Sequence, residues 1–159
     1  LQCPDRCELI SVVSADDMLA AASLAVKKAD IFISSAAVAD YRVIEVASQK
    51  IKKKSDKMSL NLSKTPDIVA ILSENNPNLF IVGFAAETEQ VEAHAREKLD
   101  RKQLNAIIAN DVSRMDIGFN SDDNEALWID ADNSQTLSKK SKAQLAREIA
   151  VLIANKINR

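Results

Sequence analysis

The chain contains little glycine, histidine or cysteine. Among 159 residues there are two glycines, Gly83 and Gly118, whereas glycine usually makes up about 7% of a protein. No G-x-G-x-x-G loop is present, which disfavours a dinucleotide-dependent oxidoreductase. Two cysteines, Cys3 and Cys7, and one histidine, His94, are too few ligands for a zinc site. We expect structural or incidental roles for the cysteines, with a disulfide or redox pair as the alternative.

Long hydrophobic runs and a basic excess are also missing. No apolar run approaches the roughly 20 residues that cross a bilayer, and the first residues lack a signal-peptide pattern, so we expect a cytoplasmic protein. The net charge of -2 disfavours a general nucleic-acid binder, because such domains usually have a strong basic excess. With 47% hydrophobic residues, the chain fits a single α/β domain over residues 1–159.

Strand and helix patterns alternate along most of the chain. Ser14-x-x-Asp17 is a capping-box signal before an alanine-rich helix that ends near Lys28, and Ser138 is predicted to cap the last helix. The other predicted helices cover residues 65–73 and 88–102, and the predicted strands cover residues 8–13, 31–33, 79–84, 106–109 and 125–130. This βαβα order predicts a three-layer, Rossmann-like α/β fold, in which a mostly parallel sheet has helices on both faces.

A lysine-rich segment predicts a β-hairpin that projects from this sheet at about residues 42–64. Its strands are predicted at residues 50–54 and 58–63, where Met-Ser-Leu-Asn-Leu-Ser alternates around a polar turn. Lys50, at the entrance of the hairpin, could neutralise a transferring phosphoryl or nucleotidyl group. Alternatively, these lysines only solvate an exposed strand edge.

Polar side chains follow three predicted strands at their carboxyl ends. Small residues and then Asp40 follow the strand at 31–33, Glu87 follows the strand at 79–84 after small residues, and Asn110 and Asp111 end the next strand. Open α/β sheets bind ligands in the crevice past these strand ends. The helix start at Thr65-Pro66-Asp67 has free N–H groups that suit an anion. Together these features predict a site for a phosphorylated ligand.

Single residues near this crevice leave alternatives open. Asp40 could hold a ribose hydroxyl or a magnesium ion, or could cap a turn. Phe84 could pack on a base or sugar, or belong to the core. Lys98 and Lys102 share a helix face and could bind phosphate oxygens, or could simply complement the helix dipole. We interpret His94 as a surface residue, and residues 118–124 as either a loop toward the crevice or a plain turn cluster.

Six short segments, taken in order, resemble the bacterial phosphopantothenate-cysteine ligase family, also called phosphopantothenoylcysteine synthetase, the ligase domain of the bifunctional coenzyme A biosynthesis protein. The segments are Ala36-Ala37-Val38-Ala39-Asp40-Tyr41, Lys50-Ile51-Lys52-Lys53, Pro66-Asp67-Ile68-Val69-Ala70, Val82-Gly83-Phe84-Ala85-Ala86-Glu87-Thr88, Ala109-Asn110-Asp111-Val112 and Gly118-Phe119-Asn120-Ser121-Asp122. The likeness spans most of the chain. The family's glycine-rich loop and catalytic asparagine have no counterpart here, so we expect that an N-terminal part is missing.

The resemblance implies a CTP- and magnesium-dependent activity. Such enzymes convert the carboxylate of 4'-phosphopantothenate to an acyl-cytidylate, and the amine of L-cysteine then displaces CMP. By this resemblance Lys50 serves the activation step, and the metal ligands are unknown. The residues implied to bind CTP are Ser34, Ser35, Ala36, Asp40, Lys50, Pro66, Asp67, Ile68, Val69, Phe84, Lys98 and Lys102.

The resemblance also implies partners. Family members resemble homodimers joined through the hairpin, and many are fused to a decarboxylase that holds FMN and is absent from this chain. A non-catalytic dimerisation or interaction fragment, and another nucleotide-binding α/β domain, are the alternatives. No nucleic-acid or membrane partner is expected.

Overall fold

Helices and strands alternate in the computed structural model, which describes residues 3–52, 56–113 and 121–158. The strands of the main sheet are β1 (Ile31–Ser34), β4 (Phe80–Glu87), β5 (Ala106–Asp111), β6 (Asp123–Asp130) and β7 (Ser134–Ser141), and a separate two-stranded sheet consists of β2 (Tyr41–Val43) and β3 (Leu62–Lys64). The helices are α1 (Ala15–Ala25), which a 3-10 turn extends over Val26–Lys28, α2 (Ile68–Asn75), α3 (Val91–Arg101) and α4 (Lys142–Ile157).

The main sheet has the order β1-β4-β5-β6-β7. Strands β1, β4 and β5 are parallel, because α2 and α3 return the chain to the same end of the sheet after β1 and β4. Strands β6 and β7 are antiparallel to their neighbours. The prediction of an α/β sheet with a mostly parallel core is therefore confirmed, and the carboxyl ends of β1, β4 and β5 lie at one end of the sheet.

The two faces of the sheet bury separate apolar clusters. On one face Ile81 and Ile107 pack with the buried side chains of α2 and α3, including Leu72 and Leu99. On the other face, alternate residues such as Trp128 pack with α4. Full burial of such a side chain stabilises the fold by about 1.5–3 kcal/mol. Helices on both faces, as predicted, follow from this period-two alternation.

The hairpin pairs its strands in a short ladder that is separate from the main sheet. Val43 pairs with Leu62, and the Ile44 N–H donates to the Asn61 carbonyl at 3.0 Å. The predicted strand at Lys50 is wrong for the part that is described, because residues 50–52 form no strand, and residues 53–55 lie outside the described ranges. The ladder forms at the base, where the Thr65 N–H donates to the Asp40 carbonyl at 2.9 Å.

The predicted start of the last helix at Ser138 is also wrong. Ser138 lies within β7, and α4 begins after Ser141, whose hydroxyl accepts from the Gln144 N–H at 3.3 Å. Strand β7 is polar and has one buried apolar side chain, Leu137, so its sequence has no clear strand alternation. Its conformation is set by the backbone ladder with β6.

The first predicted elements had different outcomes. The capping box before α1 is confirmed, because the Ser14 hydroxyl accepts from the Asp17 N–H at 3.1 Å and the Asp17 carboxylate accepts from the Ser14 N–H at 3.0 Å. The strand predicted at residues 8–13 is wrong, because these residues form no strand. Leu9 and Val13 are exposed, and no described strand pairs with the segment. Apolar alternation needs a partner strand to become a ladder.

Candidate functional site

A cleft of about 640 Å³ lies at the carboxyl ends of β1 and β4, between the segment after β1 and the start of α2. Every residue implied to bind CTP lines this cleft, with the exception of Lys50. The lining residues from that set are Ser34, Ser35, Ala36, Asp40, Pro66, Asp67, Ile68, Val69, Phe84, Lys98 and Lys102. The structure thus brings together side chains from five separate stretches of sequence, while their role as nucleotide ligands stays a prediction.

Small residues and one hydrogen bond shape the first wall of the cleft. Ser34 ends β1 beside Gly83 of β4, and residues 35–39 then cross the strand ends with short side chains. The hydrogen bond from the Thr65 N–H to the Asp40 carbonyl ties this segment to the start of α2. The backbone on both sides of the cleft is therefore held in place by the base of the hairpin.

Gly83 allows β4 to pass close to a neighbouring side chain at the floor of the cleft. A Cβ atom at this position would lie 2.7 Å from Leu104 Cδ1, which is closer than van der Waals contact allows. Leu104 is buried and also lines the cleft. A larger residue here would therefore require the Leu104 side chain to move, and glycine allows the observed close packing.

The start of α2 combines a helix amino terminus with a lysine. The Asp67 carboxylate caps α2 by accepting from the Ala70 N–H at 3.2 Å, and Lys102 Nζ lies 2.9 Å from Asp67 Oδ2. Partial burial raises the pKa of the Asp67 carboxyl, but hydrogen bonds from Lys102 and Ala70 and the charges of Lys102 and Arg101 outweigh burial, so this pKa lies below its ordinary value. The Asp67 carboxylate offsets part of this positive charge, and the other N–H groups of the helix end and of Lys102 are the donors that could bind an anion in the cleft.

A second lysine is held by the carboxylate that ends β4. Lys98 Nζ lies 2.5 Å from Glu87 Oε1, and Glu87 is mostly buried, with 13% of its side chain exposed. His94 Nδ1 lies 3.7 Å from Glu87 Oε2. His94 is partly exposed. Glu87, on β4, is the residue that could orient the imidazole ring of His94, on α3. Lys98 and Lys102 both line the cleft, as their spacing of four on α3 suggested.

Phe84 lies in the cleft rather than in the core, and Lys50 lies outside the cleft. Phe84 is 38% exposed and lines the cleft, so it does not belong to the buried core. Lys50 is exposed, lies beyond the paired part of the hairpin and does not line the cleft. Its catalytic role stays a prediction. For residues 118–124 the sequence left open a loop toward the crevice or a plain turn cluster, and residues 118–120 lie outside the described part of the chain.

Two further polar residues line the cleft that the sequence did not single out as ligands. Asn110 is the second-to-last residue of β5, and its Oδ1 accepts from Asn124 Nδ2 at 3.0 Å. Thr65 precedes the cap of α2 and also lines the cleft. Asn110 belongs to a strand end that the sequence predicted to be polar, and Thr65 belongs to a predicted helix start. These two patterns were the signals in the sequence that could have identified both residues.

Among the described residues, no three His, Cys, Asp or Glu side chains cluster as metal ligands. Cys3 and Cys7 are free and exposed, which agrees with an incidental role rather than a disulfide. None of the described helices is long and apolar enough to cross a membrane.

A mixed sheet with a parallel core, helices on both faces and a cleft past its strand ends is the arrangement of Rossmann-like α/β domains. Within this class, the model of the family described as DNA/pantothenate metabolism flavoprotein C-terminal domain matches residues 1–157, and the chain belongs to this family.

Curated relatives are longer than this chain. It is 45% identical over 152 residues to the coenzyme A biosynthesis bifunctional protein CoaBC of Haemophilus influenzae, and the match covers 94% of this chain and 37% of that protein. The Escherichia coli protein of the same name is 44% identical over 148 residues, with 88% of this chain and 36% of that protein covered. The chain therefore spans a little over a third of the length of these relatives.

Two solved structures are similar to this fold. A crystal structure of the C-terminal domain of coenzyme A biosynthesis bifunctional protein CoaBC superposes with a TM-score of 0.81 and 32% identity, covering 99% of this chain and 70% of that one. The DNA/pantothenate metabolism flavoprotein from Streptococcus pneumoniae has a TM-score of 0.71 and 26% identity, covering 92% of this chain and 70% of that one.

Proposed function

We propose that this chain is the main part of a CTP-dependent phosphopantothenate-cysteine ligase that acts in coenzyme A biosynthesis. The observation that supports this most strongly is the cleft, because residues implied by the resemblance, from five separate stretches, line one cavity. The names of the relatives, coenzyme A biosynthesis bifunctional proteins, agree with the pathway. A fused decarboxylase that holds FMN would belong to the remaining part of such a protein.

The reaction has two steps. A carboxylate oxygen of 4'-phosphopantothenate attacks the α-phosphorus of CTP, and the bond to pyrophosphate breaks, which gives an acyl-cytidylate. The amine nitrogen of L-cysteine then attacks the acyl carbon, the bond to CMP breaks, and the amine loses a proton. Both steps develop or move negative charge on phosphate oxygens, which positioned cations stabilise.

The cleft residues suit these steps. The amino terminus of α2 with Lys102 and Lys98 would hold the triphosphate, and the small residues Ser34 to Ala36 would leave room for the nucleotide against the backbone. Phe84, which is partly exposed in the cleft, would pack on the base or sugar.

Magnesium fits this cleft as a partner of the nucleotide. Mg²⁺ usually binds through one or two carboxylates together with substrate phosphates. Asp40 lines the cleft and is the carboxylate that would hold the ion with the triphosphate, whereas Asp67 is already paired with Lys102. Bound magnesium would supply charge neutralisation at the phosphates.

Calorimetric titration of the chain with CTP and then ATP, both with magnesium, tests the proposed function. We expect saturable binding that favours CTP, and weaker binding in Lys102→Met, because this substitution removes a cleft cation and keeps a similar chain length. Lys27→Met, on the exposed 3-10 turn, is the control and should bind normally. Absence of CTP binding to the unaltered chain would overturn the proposal for this chain.

Lys50 is proposed to act in the activation step even though it lies outside the cleft. The hairpin would have to bring the lysine toward the bound nucleotide. In the intact ligase, Lys50→Gln should abolish pyrophosphate release from CTP while the far-ultraviolet circular dichroism spectrum stays unchanged. Normal turnover in this variant would remove Lys50 from the mechanism.

A homodimer joined through the hairpin is a second proposal, and it is compatible with the first. The observation that favours it is a group of exposed apolar side chains beyond the base of the hairpin, Ile44, Val46, Ile51, Met58 and Leu60. Such a group is larger than scattered surface hydrophobic residues would explain.

A further inference from the structure

Thr65 has a buried hydroxyl group that lacks a hydrogen-bond partner among the described residues. The same residue lines the cleft, where it stands two positions before Asp67, the cap of α2. Its backbone N–H is already used, because it donates to the Asp40 carbonyl at 2.9 Å. The backbone of Thr65 is thus fixed by the fold, while its side-chain oxygen makes no described hydrogen bond.

An unpaired buried hydroxyl destabilises a protein, because the group loses its hydrogen bonds to water and gains none in return. Valine would fill almost the same volume at this position without that cost. A hydroxyl that carries a cost in the free protein is explained when a ligand supplies its missing partner.

The surroundings of Thr65 indicate which ligand group this partner is. The N–H groups at the start of α2 and the ammonium group of Lys102 supply hydrogen-bond donors to this part of the cleft, where the Asp67 carboxylate, 2.9 Å from the lysine, offsets part of their positive charge. Lys98 lines the same cleft. An anionic oxygen is therefore favoured here, and it can accept from the threonine O–H, which makes a stronger, charge-assisted hydrogen bond.

We propose that the Thr65 hydroxyl donates a hydrogen bond to a phosphate oxygen of the nucleotide triphosphate in the cleft, as a binding residue in addition to those implied by the resemblance. This inference rests on the proposed CTP-binding function. It assigns the hydroxyl to the phosphates rather than to the base or ribose, because Thr65 stands two positions before Asp67, the residue that pairs with Lys102.

The test compares Thr65→Val, which removes the hydroxyl at nearly constant shape, with Thr65→Ser, which keeps it. We measure binding of CTP and of inorganic tripolyphosphate by calorimetry, and the stability of the free chain by urea unfolding. Thr65→Val should weaken binding of both ligands about tenfold. Its urea midpoint should equal or exceed that of the unaltered chain, since the unpaired group is gone. Thr65→Ser should bind within about threefold of the unaltered chain, and Thr136→Val, on the exposed side of β7, should bind normally.

The outcomes separate this inference from the proposed function. If the unaltered chain binds neither ligand, the proposed function fails and the inference fails with it. If the unaltered chain binds CTP and Thr65→Val binds equally well, the inference alone is overturned. Lower stability in Thr65→Val would assign the hydroxyl a structural role and also overturn the inference. Weaker binding of CTP with unchanged binding of tripolyphosphate would overturn the assignment to phosphate.

Discussion

Asp130 is a buried carboxylate at the end of the sheet opposite the cleft, where it pairs in register with the first residue of β5. Its Oδ2 accepts from Trp128 Nε1 at 2.7 Å, and its Oδ1 accepts from the Asp132 N–H at 2.9 Å and the Asn133 N–H at 3.0 Å. Lys156 Nζ lies 3.0 Å from Oδ2. One side chain therefore closes the turn between β6 and β7, satisfies a buried indole and anchors the end of α4.

Replacing Asp130 with alanine should destabilise the chain by about 3 kcal/mol, because a buried indole N–H and a lysine lose their partner. Asp132→Ala is the matched control. Asp132 contacts the same lysine at 3.1 Å, but its side chain is 80% exposed, so its loss should cost less than about 1 kcal/mol. Urea unfolding of both variants measures the difference. Equal losses of stability in the two variants would show that burial of Asp130 does not determine how much its contacts stabilise the fold.

Stability should fall on the acid side of neutral because of carboxylates that are paired in the folded state. Burial raises the pKa of the Asp130 carboxyl, but hydrogen bonds from Trp128, Lys156 and Asp132 and the charge of Lys156 outweigh it, so this pKa lies below its ordinary value. A lowered pKa in the folded state gives stability that is present above the unfolded pKa of about 3.9 and is lost as the pH falls through the folded pKa. Asp67 adds to this loss.

Urea midpoints measured between pH 7 and pH 2 test this expectation. The unaltered chain should lose stability below about pH 4. Asp130→Asn should be less stable near neutral pH and should show a shallower acid limb, because one of the depressed carboxyls is gone. If the urea midpoint of Asp130→Asn falls with pH as steeply as that of the unaltered chain, the Asp130 carboxyl does not contribute to the acid sensitivity.

At the scale of elements, the sequence predicted those segments whose own residues determine their conformation. The capping box at Ser14 and the apolar strands β4 and β5 are determined by neighbouring residues in the sequence. All three were found where they were expected. Strand β7 was missed because its residues are polar and its conformation depends on pairing with β6. A ladder with a distant strand cannot be inferred from the alternation of one segment.

The two candidate starts of α4 make this point testable. Ser141→Ala should cost about 1 kcal/mol, because the hydroxyl that accepts from the Gln144 N–H is lost. Ser138→Ala, in an exposed position of β7, should change stability by less than about 0.5 kcal/mol. Thermal or urea unfolding measures both. A larger effect at Ser138 would favour the helix start that the sequence predicted.

Much of the cleft could be predicted because parallel strands bring their carboxyl ends together. Small residues after β1 and at the end of β4, the carboxylate of Asp40 and the helix start at Asp67 were visible as sequence patterns, and they line the cavity. Glu87, the carboxylate that ends β4, does not line it but pairs with Lys98, which does. The unpaired hydroxyl of Thr65 was not visible, because hydrogen-bond satisfaction depends on the folded surroundings. The position of Lys50 outside the cleft was equally hidden, since it depends on where the hairpin pairs.

At the scale of the whole molecule, the fold gives a physical reason for the proposed phosphate site, but it gives none for the choice of base. The positive helix start and the two lysines act on any triphosphate. A preference for cytosine is inferred from the resemblance alone, which is why CTP and ATP are compared in one titration. The two apolar clusters of the core lie on the faces of the sheet. The residues that follow the strands can therefore line the cleft without being part of these clusters.

The exposed apolar side chains of the hairpin predict that two copies of the chain associate. Ile44 and Leu60 lie just beyond the paired base and are more than half exposed, so replacing both with lysine should not affect the folded protomer. We expect multi-angle light scattering to give a dimer for the unaltered chain and a monomer for Ile44→Lys/Leu60→Lys, because burying two added charges would oppose association. Val151→Lys, on the exposed side of α4, is the control and should remain dimeric. A dimer that persists in the double variant would place the interface on another surface, and a monomeric unaltered chain would exclude the association itself.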